Sequence, residues 1–173
     1  MKRLIVFSGA GISSDSGIPT FQEIPNIREK LTRDYAISNP KGYTLVIEEM
    51  RGYIAKAYPN DAHLAIADYD IPVITMNIDG LHQLAGSKEV IALHGDIDTI
   101  VLYGDMAPKY HEAINLVASL AKDDTLLVVG ASYATQIAYQ LRVIAQSRGV
   151  NIVEIQESAS IEVPRFLNNY FKT

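Results

Sequence analysis

The chain predicts a doubly wound α/β fold around a mostly parallel, six-stranded sheet, and three observations carry that prediction. Short apolar, β-branched runs recur along the chain, longer helical patterns separate them, and the runs are continuously apolar instead of alternating. Continuous apolar character marks strands covered on both faces, with the intervening helices as crossovers. In order, the strands are expected at Leu4–Phe7, Pro72–Thr75, Val90–Leu93, Ile100–Tyr103, Leu126–Val129 and Ile152–Ile155. Helices are expected at Gly42–Ala57, Asp61–Tyr69, Pro108–Ala121, which a proline opens, and Gln136–Arg148, which Gly149 closes. Between the first two strands, from about residue 22 to 58, there is no strand signal, so this stretch reads as a small helical insertion able to wall a cleft. At 173 residues the whole chain, 1–173, fits one domain, since about 150 residues per domain is usual.

Composition narrows the function classes. A formal net charge of -5, with Lys and Arg scattered, gives no electrostatic pull toward nucleic acid or anionic lipid. No stretch approaches the roughly 20 apolar residues of a membrane span. The apolar core of the first residues is four long and runs into Ser-Gly-Ala-Gly, too short for a signal peptide. The absence of cysteine excludes disulfides and thiolate-ligated metal, and the four histidines, His63, His82, His94 and His111, lack metal-binding spacing. A cytoplasmic protein with no metal, no nucleic-acid partner and no membrane is expected.

The segment Ser8–Phe21, directly after the first strand, reads as a nucleotide-binding loop. Gly9 and Gly11 permit a tight turn and close approach to a phosphate, while Ser13, Ser14 and Asp15 can cap a following helix whose N–H groups face the anion. It departs from the dinucleotide fingerprint of Rossmann-like sheets, which requires glycine where Ser14 stands and an acidic residue about 20 positions on, closing a second strand.

In open α/β sheets ligands bind outside the carboxyl ends of strands. Here those positions hold Asn77-Ile78-Asp79-Gly80-Leu81-His82, His94-Gly95-Asp96, Gly104-Asp105 and Gly130-Ala131-Ser132. Asn77 and Asp79 can grip a carboxamide, or they can simply cap the next helix. His94 can serve as a general base because imidazole titrates near neutrality, or it can be a satisfied structural histidine.

Taken in order, GAGISSDSGIPTF, TMNIDGLHQLAG, LHGD, LYGD and GAS, spanning residues 9 to 132, resemble the motifs of the sirtuin family, the NAD-dependent protein deacylases. The resemblance implies NAD as co-substrate, bound between the sheet and a small module. It further implies scission of the nicotinamide–ribose bond as an acyl-lysine carbonyl attacks ribose C1′, and transfer of the acyl group to ADP-ribose. By position His94 is the implied base, with Asn77 and Asp79 orienting the ribose and nicotinamide amide. Ala10, Ile18, Phe21 and Ile78 line the implied nicotinamide pocket. Gly9, Gly11, Ile12, Gly130 and Ser132 complete the implied cofactor site, Asn151 stands at the family's adenine-side asparagine, and Tyr103 and Gly104 face the acylated lysine protein or peptide.

The chain also departs from that family. Only six residues separate Asp96 from Tyr103, where the commonest sirtuins insert a four-cysteine zinc module. Gln22 replaces an arginine, Met76 a glutamine and Ala131 a threonine, and Thr135 and Ile137 replace the V-x-P that helps clamp a peptide. Deacylation is therefore the leading expectation. Two alternatives are an NAD glycohydrolase or ADP-ribosyltransferase, and a non-catalytic NAD- or ADP-ribose-binding protein.

Overall fold

A computed structural model describes residues 2–172. Five parallel strands, β1 (Leu4–Ser8), β2 (Val73–Thr75), β3 (Val90–Ala92), β4 (Thr125–Val129) and β5 (Asn151–Ile155), form one sheet in the order β3-β2-β1-β4-β5. Every residue of β1 and β4 is buried, which is why both read as unbroken apolar runs. Alternate side chains still go to opposite faces. Ile5, Phe7, Leu126 and Val128 enter one core with α6 (Tyr110–Ala118) and α7 (Gln136–Ser147). Leu4, Val6, Leu127 and Val129 enter the other, with α4 (Asp61–Asp68) and α8 (Ala159–Lys172). Burying each such side chain contributes about 1.5–3 kcal/mol, so the two cores together fix the sheet.

A third cluster lies outside the sheet. The helices α1 (Ile27–Lys30), α2 (Arg33–Ser38) and α3 (Pro40–Ile54) gather Ile27, Leu31, Val46 and Met50 around Leu102. Helix α3 begins two residues before the sequence expectation because Pro40 takes its first position and the Asn39 side chain accepts the Gly42 N–H at 3.0 Å. Helix α4 opens on a reciprocal cap, in which Asn60 accepts from Ala62 N while His63 Nδ1 accepts from Asn60 N.

One expected strand is not formed. Residues 100–103 pack on the helical module instead: Leu102 and its neighbours Ile100 and Tyr103 join the third cluster, and Tyr103 makes a single bridge to Thr32. Their apolar run is spent on this side core, so the sheet has five strands, not six. Helix α8 was not legible, since Pro164 sits inside it and removes one backbone donor. It holds through Ala159, Val163 and Leu167, spaced for one helical face and buried against the sheet.

Candidate functional site

The strand order reverses between β1 and β4, and the loops leaving these two strands touch. Gly9 N–H donates to Val129 O and Gly11 N–H to Gly130 O, both at 3.0 Å. A Cβ on Gly9 would stand 2.7 Å from Gly130 O and 2.8 Å from the Ala131 Cα, and one on Gly11 2.7 Å from the Gly130 Cα. The glycines of the first loop are therefore required by loop-to-loop contact as well as by any ligand. Ser13, Ser14 and Asp15 do not act as caps. They lie within a 3-10 helix, Ala10–Ser16, that no side chain caps, and Asp15 accepts from Ser160 Oγ at 2.6 Å.

Above this junction opens a cavity of about 670 Å³, walled on one side by the sheet's carboxyl ends and on the other by the helical module. Ala10, Gly11, Ile18 and Phe21 enter it from the first loop, and Asn77, Ile78 and Asp79 from the β2 end. His94, Tyr103, Gly104, Gly130 and Ser132 complete the set of expected residues that it brings together. Three expected residues are not in its lining. Gly9 lies in the loop contact just described, and Ile12 is wholly buried in the core beneath. Asn151 is the first residue of β5 and its N–H bonds Asp124 O, so it is exposed at the amino edge of the sheet, opposite the cavity.

Asn77 and Asp79 are joined through the buried Ser13. Asn77 Nδ2 donates to Ser13 Oγ at 3.2 Å, and Ser13 Oγ donates to Asp79 Oδ2 at 2.7 Å. Asp79 Oδ1 meanwhile accepts the Leu81 N–H that opens α5 (Leu81–Leu84). Capping and site-building are thus combined in one carboxylate, while the Asn77 side chain is turned to the first loop. Beneath them Ser8 Oγ donates to Thr75 Oγ1 and meets His82 Nε2, both at 2.9 Å. His63 and His82 are fully buried, edge to face at 4.9 Å, and desolvation pushes them down to about 4 and about 3, His82 also repelled by His63. Both are neutral imidazoles at pH 7.

His94 is half-buried and held at both ring nitrogens. Nδ1 is 3.1 Å from Met76 O, and Nε2 is 3.1 Å from Tyr110 Oη. A carbonyl only accepts, so Nδ1 carries the proton and Nε2 presents a lone pair. Desolvation holds the imidazole below its ordinary range, and the carbonyl contact opposes that shift. A neutral histidine in the cavity lining, whose Nε2 lone pair accepts only the exchangeable Tyr110 O–H, is equipped to take a proton near neutral pH.

Several lining residues lie outside the sequence expectations. Gln156 and Glu157 directly follow β5, so the strand-end rule that located the other polar groups applies to them too. Tyr110, Arg28, Tyr53 and Met50 come from helices of the α6 side and the insertion, and no local pattern marks them. The substituted positions divide. Gln22, Met76 and Thr135 line the cavity, whereas Ala131 and Ile137 are buried in the core. Thr135 also caps α7 through Ala138 N. Between Asp96 and Tyr103 the chain makes a tight turn, with Asp96 Oδ1 accepting from Asp98 N, Thr99 N and Thr99 Oγ1. With no cysteine in the chain and no cluster of metal-ligating side chains among the described residues, nothing here fits a zinc module. No described helix is long and apolar enough to cross a membrane.

Comparison with known proteins bears on the same residues. The Sir2 family model matches residues 9–100, from the first glycine loop past His94. An NAD-dependent protein deacetylase of Bacillus cereus is 32% identical over 181 aligned residues, covering 78% of this chain and 74% of its own. Among solved structures, a Sir2 homologue–NAD complex superposes with a TM-score of 0.90 at 24% identity, covering 99% of this chain and 90% of its own. A Sir2–p53 peptide–NAD+ complex superposes with a TM-score of 0.82 at 26% identity, covering 98% and 92%. The chain belongs to the Sir2 family.

Proposed function

We propose that this chain is an NAD-dependent protein-lysine deacylase acting at the cavity between the sheet and the helical module. The carrying observation is that Phe21, Asn77, Asp79 and His94, distant in sequence, line one cavity at the β1/β4 switch point of a Sir2-family chain. The contact of Gly9 and Gly11 with Gly130 supports binding of NAD there, because it leaves backbone instead of side chain at the floor on which a pyrophosphate would lie.

NAD would supply a bond between a cationic nicotinamide ring and ribose, whose scission releases a neutral leaving group. Ala10, Ile18, Phe21 and Ile78 give the nicotinamide side an apolar, water-poor wall. Asn77 and Asp79, fixed by Ser13, orient the amide and ribose. His94 Nε2 accepts a proton from a ribose hydroxyl. Gly130 and Ser132 serve the phosphates, and Gln156 and Glu157 extend the wall beyond β5. Tyr103 and Gly104 face the acyl-lysine entry. Residues 1–173 act as one NAD-binding unit with the cap at about 22–58, in the cytoplasm, where soluble NAD and acylated proteins meet.

A second reading keeps NAD cleavage but uses water or another acceptor, as an NAD glycohydrolase or ADP-ribosyltransferase. It is favoured by Ile137, whose burial withdraws it from any peptide clamp. Incubation with NAD and acetyl-lysine peptide, followed by mass identification, separates the two. Deacylation predicts O-acyl-ADP-ribose and free lysine peptide, whereas plain ADP-ribose with intact peptide supports the alternative. Calorimetric NAD binding with no product of either kind overturns both in favour of a binding protein.

A further inference from the structure

We propose that Tyr110 is a positioning residue for His94: its hydroxyl, with the Met76 carbonyl, clamps the imidazole from both sides and keeps the Nε2 lone pair directed into the cavity. The two contacts are the 3.1 Å approaches of Met76 O to Nδ1 and Tyr110 Oη to Nε2. Met76 leaves the end of β2 and Tyr110 opens α6, so two separate elements of the fold converge on one ring. Since the carbonyl requires the proton on Nδ1, the phenol must be the donor to Nε2. The rings stand 6.1 Å apart and tilted at 50°, an arrangement that brings the Tyr110 hydroxyl, not its face, to the nitrogen.

Tyr110 also lines the cavity, so its hydroxyl occupies the place that a hydroxyl of a bound ligand must reach to give its proton to Nε2. On ligand entry, the Tyr110 O–H gives up its contact to the incoming hydroxyl and remains beside it as the second donor or acceptor. When the ligand's O–H breaks, its proton goes to Nε2 and the electron pair stays on the ligand oxygen. Met76 O then continues to accept from Nδ1–H, and the new Nε2–H faces the ligand oxygen that has replaced the Tyr110 hydroxyl. The groups set against the ring are Met76 O from the β2 end and Tyr110 Oη from α6, while Asp79 and Tyr103 line the same cavity and Tyr103 acts on the Tyr110 phenol.

The kinetic part of this inference rests on the NAD-cleaving reading above; its structural part does not. Nitrogen-15 spectra of the His94 ring in the ligand-free protein test the latter. Wild type is expected to show protonated Nδ1 and a lone-pair Nε2 as the single neutral tautomer. Tyr110→Phe is expected to shift the Nε2 resonance by removing its donor, while Met76 O keeps the proton on Nδ1. An Nε2–H tautomer in the wild type, or identical ring spectra in Y110F, overturns the clamp. In turnover, Y110F should lower kcat for nicotinamide release about tenfold, the worth of roughly one hydrogen bond, with the KM for NAD within about twofold. Replacing Tyr110 by ring-fluorinated tyrosine retains shape and restores the donor, so kcat should recover at neutral pH. Its more acidic phenol should move the alkaline limb of the pH profile to lower pH. Equal kcat in Y110F, or an unmoved limb, counts against the role. Absence of nicotinamide release from the wild type defeats the NAD reading alone, and the spectra then decide the clamp.

Discussion

Ser13 donates to Asp79 at 2.7 Å in a half-buried setting, and that bond, with the one Ser13 accepts from Asn77, ties the first glycine loop to the loop leaving β2. Because the other Asp79 oxygen accepts the Leu81 N–H, the carboxylate orders two loops of the site at once. Bonds to an ionised acceptor are worth about 1.5–3 kcal/mol each. Asp79→Ala should therefore lower unfolding free energy by about 2–4 kcal/mol in denaturant titration. Asp79→Asn, which keeps an acceptor oxygen, should cost less than the alanine variant but still weaken NAD binding measured by calorimetry. A D79N protein with wild-type affinity would place the carboxylate outside the cofactor's reach.

Gly11→Ala drives a methyl group to 2.7 Å from the backbone of Gly130, where neither partner can rotate away. The β1 and β4 loops must separate, distorting the cavity floor on the order of an ångström. We expect a loss of about 1–3 kcal/mol, the usual cost of overpacking, and a drop in NAD affinity larger than the stability loss alone explains. Thermal melts with and without NAD check it, and an unchanged ligand-induced shift would contradict it.

The neutral His63–His82 pair makes stability depend on acid. Each histidine titrates near 6.5 when unfolded but only at about 4 and about 3 in the fold. Below pH 6.5 the unfolded chain takes up protons that the native state refuses, so stability is full above that value and falls with decreasing pH. Each histidine contributes a slope of about 1.4 kcal/mol per pH unit through this window. Urea titrations from pH 7 to 4 should show the decline, and His82→Asn should flatten it even though it costs stability at pH 7. Equal slopes in both proteins would contradict the assignment.

Asn151 stands at the amino edge of the sheet, so Asn151→Ala should leave the KM for NAD unchanged within about twofold and unfolding free energy within about 0.5 kcal/mol, as for other surface substitutions. A large rise in KM would restore the adenine-side role that its position in the sequence implied.

What the sequence discloses follows from which interactions are local. Central strands are apolar whichever residues surround them, so β1 and β4 were visible at once, and polar residues collected at strand ends located the cavity. Ile100–Tyr103 misled because an apolar run does not say whether its cover is a sheet or a helical module. Asn151 misled because a motif fixes order along the chain, not which end of a strand a residue occupies. Tyr110 was invisible since its partner His94 is 16 residues away and the contact depends on how α6 docks. Arg142 likewise reads as a surface residue of α7, yet it is buried, donating to the Ala131 and Ala138 carbonyls and to Glu154 and lying 3.9 Å from the Tyr133 ring. Ala138 is one helical turn away, but the contacts to Ala131, Tyr133 and Glu154, which hold the loop after β4, come from outside the helix and leave no local pattern.

The most direct test is nicotinamide release from NAD, compared between wild type and His94→Ala, with and without an acetyl-lysine peptide. The account predicts release by the wild type that requires the peptide, and a fall of at least about a hundredfold in H94A, the usual contribution of a positioned base. Equal rates in the two proteins, or no release with any acyl peptide, would contradict it.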